Sequence, residues 1–329
     1  MSLKLYKHQN INSHSGEIFA LCRLARQLNT YYQPLSEEAS LVVNLDYSSS
    51  SNLPQIDALL LTESFCSLIE IKNYFDPISA RFLKGRWQVG TNKRHFVHSG
   101  NHKSPFLQVK NARKKWVSFL GKQSNGWSPR YDWNSLHSIL LFYPALHPDS
   151  KLPTLGNESK WLTIQSFSEL HDTLFAESRK QTGLRTARQE ELIRYQLNCH
   201  PWADMQAALD ETVGTLVVTN NGKAETLLPV KRMQEIVIGR SQKQNPTITI
   251  ANPRVSRIHG RVLVNHRGVM YEDLGSTNGS FLDGKRLPNN NPIQLNPNKE
   301  LHLGSETNLA STIRFEPVHT RGYYTNTTL

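Results

Sequence analysis

Asp57, Glu70 and Lys72 put charge where a core strand should carry none. They lie in the stretch from Ile56 to Lys72, two apolar runs joined by the short polar turn Thr62-Glu63-Ser64, which reads as a β-hairpin. Strand alternation sets Glu70 and Lys72 on one face, looking out of the sheet, and sends Ile69 and Ile71 into the core. A turn centred on Glu63-Ser64 pairs residue 57 with residue 70, so Asp57 and Glu70 face each other with Cβ atoms about 5 Å apart. Two carboxylates that close repel unless a cation lies between them, and hard oxygen donors suit Mg²⁺ or Mn²⁺. Lys72 completes a site able to bind phosphate. The competing reading makes these charges a structural ion pair that binds no metal.

An Asp followed one strand later by Glu-x-Lys resembles the PD-(D/E)XK nuclease superfamily. Four further features, in this order, narrow the resemblance to the nuclease-related (NERD) domain: Gly16-Glu17 opening a helix, Gln55-Ile56-Asp57 starting the first strand, Ile69-Glu70-Ile71-Lys72-Asn73-Tyr74 ending the second, and Pro105-Phe106-Leu107-Gln108 opening a later helix. The likeness spans roughly residues 10 to 145 and departs at Ile56, where the superfamily's name has Pro. It implies a restriction-endonuclease-like α/β fold, a mixed sheet flanked by helices. It also implies metal held by Asp57, Glu70 and the Ile71 carbonyl, with Glu17 and Gln108 as further active-site residues. Read without the resemblance, Glu17 is an acid in a helix's first turn, stabilised by the dipole, and Gln108 is a surface amide.

The 329 residues suggest two domains, and the net charge of +11 is unevenly spread. Residues 1–200 hold 24 Lys and Arg against 16 Asp and Glu, and the rest hold 14 against 11. Between Asp76 and Asp132 stand twelve basic residues and no acidic one, among them Lys84, Arg86, Lys93, Arg94, Lys110, Arg113 and Lys114. A basic run beginning directly after the Glu70/Lys72 strand points to nucleic acid, with DNA the expected kind, although a solvated basic face is its bland alternative. His95, His98 and His102 fit no helix face, and phosphate or solvent contact suits them better than a metal. No apolar run is long enough to span a membrane, and the N-terminus lacks a signal peptide's apolar core, so the expected location is the cytoplasm. Cys22, Cys66 and Cys199 are too scattered for a disulfide framework and read as buried thiols.

Apolar spacing at Ile18, Leu21, Cys22, Ala25 and Leu28 predicts a helix, and Leu41 to Leu45 a strand. The serine-rich stretch from Tyr47 to Leu53 reads as a flexible loop, and 73–103 as mostly loop. Ser104 and Pro105 open a helix whose buried stripe is Val109, Ala112, Trp116, Phe119 and Leu120, leaving Lys110, Arg113 and Lys114 towards solvent. Ser138 to Tyr143 and Trp161 to Ile164 read as further strands, Ser166 to Glu169 as a capping box, and Ala187 to Asn198 as a last helix. The first domain is therefore expected over 1–200, with a linker at 201–212.

From Gly214 the texture changes to short β runs punctuated by Asn-Gly, Arg-Gly and Asp-Gly, the pattern of a β-sandwich. Its loops are distinctive: Ile238-Gly239-Arg240, then Asn252 through Gly260, then Asp273 through Gly284. In that order and spacing they resemble the forkhead-associated (FHA) domain, over residues 213–317, with 318–329 left as a disordered tail. The resemblance implies a phosphothreonine-peptide reader in which Arg240, Ser256 and Thr277 contact the phosphate and Asn278 holds the peptide backbone. It casts His259 as a brace for the loop, with Gly239 and Gly279 permitting the loop conformations. Arg257 is a position where the family uses Asn or Arg, and Arg254 could favour an acidic residue beside the phosphothreonine. A guanidinium, two hydroxyls and loop N–H groups suit a phosphate's charge and acceptors.

The expectation is thus a metal-dependent nuclease joined to a threonine-phosphorylated-protein binder. Its alternative is a phosphopeptide adaptor whose first domain binds nucleic acid without cutting it. Nothing in the sequence sets an oligomeric state.

Overall fold

Strands with an apolar side chain at nearly every position must be covered on both faces, and the first unit is built around them. The protein was described as a computed structural model covering residues 3–8, 15–47, 53–91, 95–127, 130–209, 211–220, 223–241, 246–265, 268–297, 299–306 and 310–318. The chain divides into two compact units, Met1–Ala207 and Ala208–Leu329.

In the first unit the strands are β1 (Leu3–Lys7), β2 (Ala39–Leu45), β3 (Ile56–Thr62), β4 (Cys66–Tyr74), β5 (Ile78–Ser79), β6 (Gln88–Val89), β7 (His137–Pro144), β8 (Leu162–Ser166) and β9 (His200–Pro201). Seven form one mixed sheet in the order β8-β7-β4-β3-β2-β1-β9. β2, β3 and β4 run antiparallel in sequence, while β4–β7, β7–β8 and β1–β2 are parallel. β2 and β7 are buried at every position. Helix α1 (Ser15–Tyr32) packs on β1, β2 and β4. Helix α2 (Pro105–Gln123) starts at a Ser104 cap, whose hydroxyl accepts from Leu107 N, with Pro105 in the first turn. Its Ala112, Trp116 and Leu120 join the core formed with Val42, Leu59, Leu61 and Leu68.

Several expectations change here. β1 was not foreseen, because Leu3, Leu5 and Tyr6 alternate with lysines in a short, polar-looking segment; pairing with β2 buries them. The last helix is α-helical over Thr186–Glu191 and continues as a π-helical turn over Leu192–Gln196. The expected linker at 201–212 is largely folded. β9 pairs with β1, Trp202 N donates to Leu5 O, and Leu5 N donates to the Gln206 side chain at 3.0 Å. An edge strand's unpaired backbone groups are thereby satisfied, and Ala203–Ala208 is helical. The capping box at Ser166 and Glu169 is formed, and all three cysteines are free and buried. Most of the Tyr47 to Leu53 loop, and the tail beyond Val318, lie outside the described residues. Among the described residues no helix is long and apolar enough to cross a membrane.

The basic stripe of α2 is not uniformly solvent-facing. Arg113 is half-buried. Its Nε donates to Leu136 O at 2.8 Å, a terminal nitrogen donates to Asn134 O at 2.6 Å, and its guanidinium lies 5.4 Å from the Trp161 ring. It ties α2 to the turn before β7 and so is a structural residue, not a solvent-facing one. Arg113→Ala is expected to cost about 1–3 kcal/mol of stability, because two carbonyls lose their donor. Thermal unfolding beside Lys114→Ala, which should unfold like wild type, measures this.

The second unit stacks two sheets. One runs β11-β10-β20-β19-β16-β17 and the other β13-β12-β14-β15-β18. Its strands are β10 (Thr212–Asn220), β11 (Lys223–Lys231), β12 (Glu235–Gly239), β13 (Ile248–Thr249), β14 (Gly260–Asn265), β15 (Gly268–Asp273), β16 (Ser280–Leu282), β17 (Lys285–Arg286), β18 (Ile293–Gln294), β19 (Glu300–Leu303) and β20 (Ser311–Pro317). Ile236, Ile238, Val262, Val264 and Tyr271 from one sheet and Leu216, Leu301, Leu303 and Ile313 from the other form its core.

Candidate active site and phosphate-binding loops

The hairpin ladder pairs Leu61 with Cys66, Leu60 with Ser67, Leu59 with Leu68 and Ala58 with Ile69, the register expected from the turn. One step further the same count sets Asp57 beside Glu70. There a side chain takes over from the backbone: Ile71 N donates to Asp57 Oδ2 at 2.6 Å. Glu70 Oε1 accepts from both Lys72 Nζ at 2.7 Å and Gln108 Nε2 at 2.6 Å. Glu70 and Lys72 are only 8% and 7% exposed, so the pair is not turned to solvent as expected; Ile71, expected in the core, is instead half-buried. β4 is central in the sheet, and Gln108 of α2 reaches Glu70 on it.

Glu17, Asn44, Asp57, Ile71, Lys72, Tyr74 and His98 line a cavity of about 280 Å³. Glu17 is exposed at its mouth, in the first turn of α1. Glu70 and Gln108 do not line the cavity, although Glu70 Oε1 bonds both Lys72 Nζ and Gln108 Nε2. Asp57 keeps partial solvent contact through the cavity, yet burial, followed by the charge of Glu70, pushes its carboxyl up to about 8, against the pull of Lys72. Burial draws the Lys72 ammonium down, but Glu70 and Asp57 outweigh it and hold it above the ordinary lysine range.

These features fit a hard divalent cation. A carboxylate held at such a cost beside a second one is relieved by positive charge, and Gln108 Oε1 is a buried acceptor without a partner among the described residues. No three His, Cys, Asp or Glu side chains cluster for a metal among the described residues. Asn44 was missed: it lies at φ 50 on the cavity wall and accepts from Gln55 Nε2 at 2.8 Å. Its signal was an amide interrupting an apolar strand.

Lys84, Arg86, Lys110 and Lys114 are exposed, whereas Lys93 and Arg94 lie outside the described residues. Lys114, Lys115 and Lys122 line a groove of about 780 Å³ with His102, Asn111, Phe119 and Leu53. The three histidines are not gathered: His98 lines the Asp57 cavity, His102 this groove, and His95 neither.

In the second unit the loops between strands converge. Arg240 is exposed, and its Nε donates to Val255 O at 2.9 Å. Thr277 N donates to Ser256 Oγ at 3.0 Å, and the two hydroxyls lie 3.4 Å apart. Ser256 N donates to His259 Nδ1 at 3.0 Å, tying the loop to a fully buried imidazole. Asn278 Nδ2 donates to Arg254 O at 2.9 Å, and Arg254 itself reaches Ser305 Oγ. Arg257 is exposed. Gly279 has φ 83 and Arg286 Nε only 2.5 Å from where a Cβ would sit, while a Cβ at Gly239 would strike Arg257 O.

Asp273 was quoted in the sequence without a role, yet it anchors the third loop. Wholly buried, it accepts from Ser276 N and Oγ at 2.7 Å each and from Ser280 Oγ at 2.5 Å. An Asp three residues before a Ser at a strand end is the available signal, since Asp side chains capture nearby N–H groups in turns.

A mixed sheet with a carboxylate–lysine site on its central hairpin, and separately a β-sandwich presenting a polar loop cluster, define a two-domain α/β plus all-β protein. The nuclease-related domain model matches residues 13–143, and the FHA domain model matches residues 236–304. The chain therefore carries a nuclease-related domain followed by an FHA domain. A comparison with curated proteins gave no match. Similar solved structures include the FHA domain of the CT664 protein from Chlamydia trachomatis, 20% identical over 32% of this chain and 97% of that one, TM-score 0.28. Another is the FHA domain of an Arabidopsis thaliana hypothetical protein, 21% identical over 34% and 92%, TM-score 0.29. A third, from a study of phosphothreonine-dependent FHA domain interactions, is 19% identical over 32% and 99%, TM-score 0.26.

Proposed function

We propose that this chain is a metal-dependent nuclease, acting on DNA in the cytoplasm, that is directed or regulated by binding a threonine-phosphorylated protein through its FHA domain. The observation carrying this reading is the placement of Asp57, Ile71 and Lys72 on one cavity wall, with Ile71 N on the Asp57 carboxylate and Lys72 on that of Glu70. Asp57, Glu70 and the Ile71 carbonyl would hold Mg²⁺ or Mn²⁺. When bound, the ion supplies charge that polarises a scissile phosphate and lowers the pKa of an attacking water. Lys72 orients that water or offsets charge growing on the phosphate oxygens. Gln108 fixes the Glu70 carboxylate, and Ile71 N fixes that of Asp57. The lysine-lined groove supports a phosphate-backbone partner.

The Lys72–Glu70 contact supports a second reading, in which the hairpin charges are a structural ion pair that binds no metal. That reading gives no role to the cavity that Asp57, Ile71 and Lys72 line, which favours the first. The test is cleavage of single-stranded DNA, duplex DNA and RNA with Mg²⁺, with Mn²⁺ and with chelator. Wild type should cut only with a divalent ion, and Asp57→Ala, Glu70→Ala and Lys72→Ala should each lose about 10²-fold or more of the rate. Cleavage that survives all three substitutions sinks the assignment. Wild type that binds DNA yet never cuts leaves the adaptor reading standing.

A further inference from the structure

The segment between β4 and α2 leaves the active-site cavity and returns to it. Tyr74 and His98 both line that cavity, and His98 N donates to Tyr74 Oη at 2.6 Å. Between these ends β5 and β6 pair, Val89 N donates to His95 O and Val97 N to Trp87 O, so the segment is a short ribbon whose two ends lie at the cavity. Trp87 and Val97 anchor it in a core with Ile78 and Phe142.

Its outer surface breaks the usual pattern. Phe82 is 62% exposed and Phe96 39% exposed. Each carries an arginine over its ring, Arg81 5.2 Å from the Phe82 centroid and Arg86 5.2 Å from that of Phe96. Lys84 is exposed between them, and no acidic residue occurs from 77 to 131. Large rings left in solvent are available to stack on a partner. Aromatic rings interleaved with cations match the chemistry of unpaired bases on a phosphate backbone: the rings stack on base faces and the cations meet phosphates. A duplex hides its base faces and offers the rings nothing.

We infer that this ribbon is a base-stacking platform, with Phe82 and Phe96 as the stacking residues and Arg81, Lys84 and Arg86 as phosphate contacts, which makes the adjoining site select single-stranded nucleic acid. The inference rests on the nuclease reading and specifies its substrate.

The experiment measures binding of the full chain to a labelled single-stranded oligonucleotide and to its duplex, in chelator so that nothing is cut, over a range of salt. Phe82→Ala and Phe96→Ala should each weaken single-strand binding about tenfold at every salt concentration, leave duplex binding within twofold, and leave the salt slope unchanged. Lys84→Ala should instead flatten the slope by about 0.7. Phe82→Trp should restore binding and Phe82→Leu should not, which separates stacking from bulk at a position too exposed to threaten folding. Equal losses on both substrates, no loss on either, or full rescue by Phe82→Leu overturns the inference while leaving the nuclease reading intact. Wild type that binds neither form at low salt overturns both.

Discussion

Asp57→Asn is expected to make the metal-free protein more stable and to abolish the proposed cleavage. The carboxyl lies at about 8 in the folded protein against an ordinary value of 3.8, because burial and then Glu70 disfavour its charge. The native state therefore keeps a proton that the unfolded chain releases, and stability falls as pH rises from about 4 to about 8. Asparagine cannot ionise, and its side-chain oxygen can still accept from Ile71 N. The variant should lose this slope and gain on the order of a few kcal/mol at pH 8 without metal. Mg²⁺ should stabilise wild type increasingly as pH rises to 8, since ion and proton compete for one carboxylate, and should leave the variant unmoved. Thermal unfolding at several pH values, with Mg²⁺ and with chelator, decides the matter. A variant less stable than wild type at pH 8, or a wild type indifferent to metal, would remove Asp57 from the proposed metal site.

Arg240→Ala is expected to weaken binding of a phosphothreonine peptide by about 10²-fold or more, with the unphosphorylated peptide binding weakly to both proteins. A phosphate brings nearly two charges and three acceptors; Arg240 is held by its Nε on Val255 O and its N on Ser256 O, and Ser256 Oγ accepts from Thr277 N. Arg240→Lys keeps the charge but loses the planar fork, so an intermediate loss of about tenfold should follow. Ser256→Ala also removes the acceptor for Thr277 N and should disturb both loops. Affinity should fall below about pH 6 as the phosphate takes up a proton. Burial holds the His259 imidazole below its ordinary range, against the pull of Asp273. Titration of matched phosphorylated and plain peptides measures all four effects. Arg240→Ala binding like wild type would move the phosphate site elsewhere on the domain.

Local patterns were legible where chemistry and backbone period coincide. The hairpin register followed from two apolar runs and a two-residue turn, because strand pairing admits one count that keeps both runs buried. The helix at Pro105 followed from Ser104 and Pro105, which act within a single turn. Arg113 was misread because helical periodicity reports a direction and not a neighbour, and the carbonyls of Asn134 and Leu136 arrive from over twenty residues away. β1 and the folded stretch after His200 were hidden for the same reason: each is stabilised by the other, and neither is apolar enough alone.

Amino-acid sequence by itself determined that carboxylates and a lysine share a hairpin, that a basic run follows them, and that three polar loops of the second unit carry phosphate-binding residue types. These are properties of residue type and of spacing along a strand or turn, which short-range geometry sets. Tertiary structure alone decided that Gln108 reaches Glu70, that Asp273 anchors the loop bearing Thr277, that Ile71 is half-exposed while Glu70 and Lys72 are buried, and that Tyr74 and His98 meet at one cavity. Such contacts join residues far apart in the chain, and they exist only once the packing of sheets and helices has excluded water from between them.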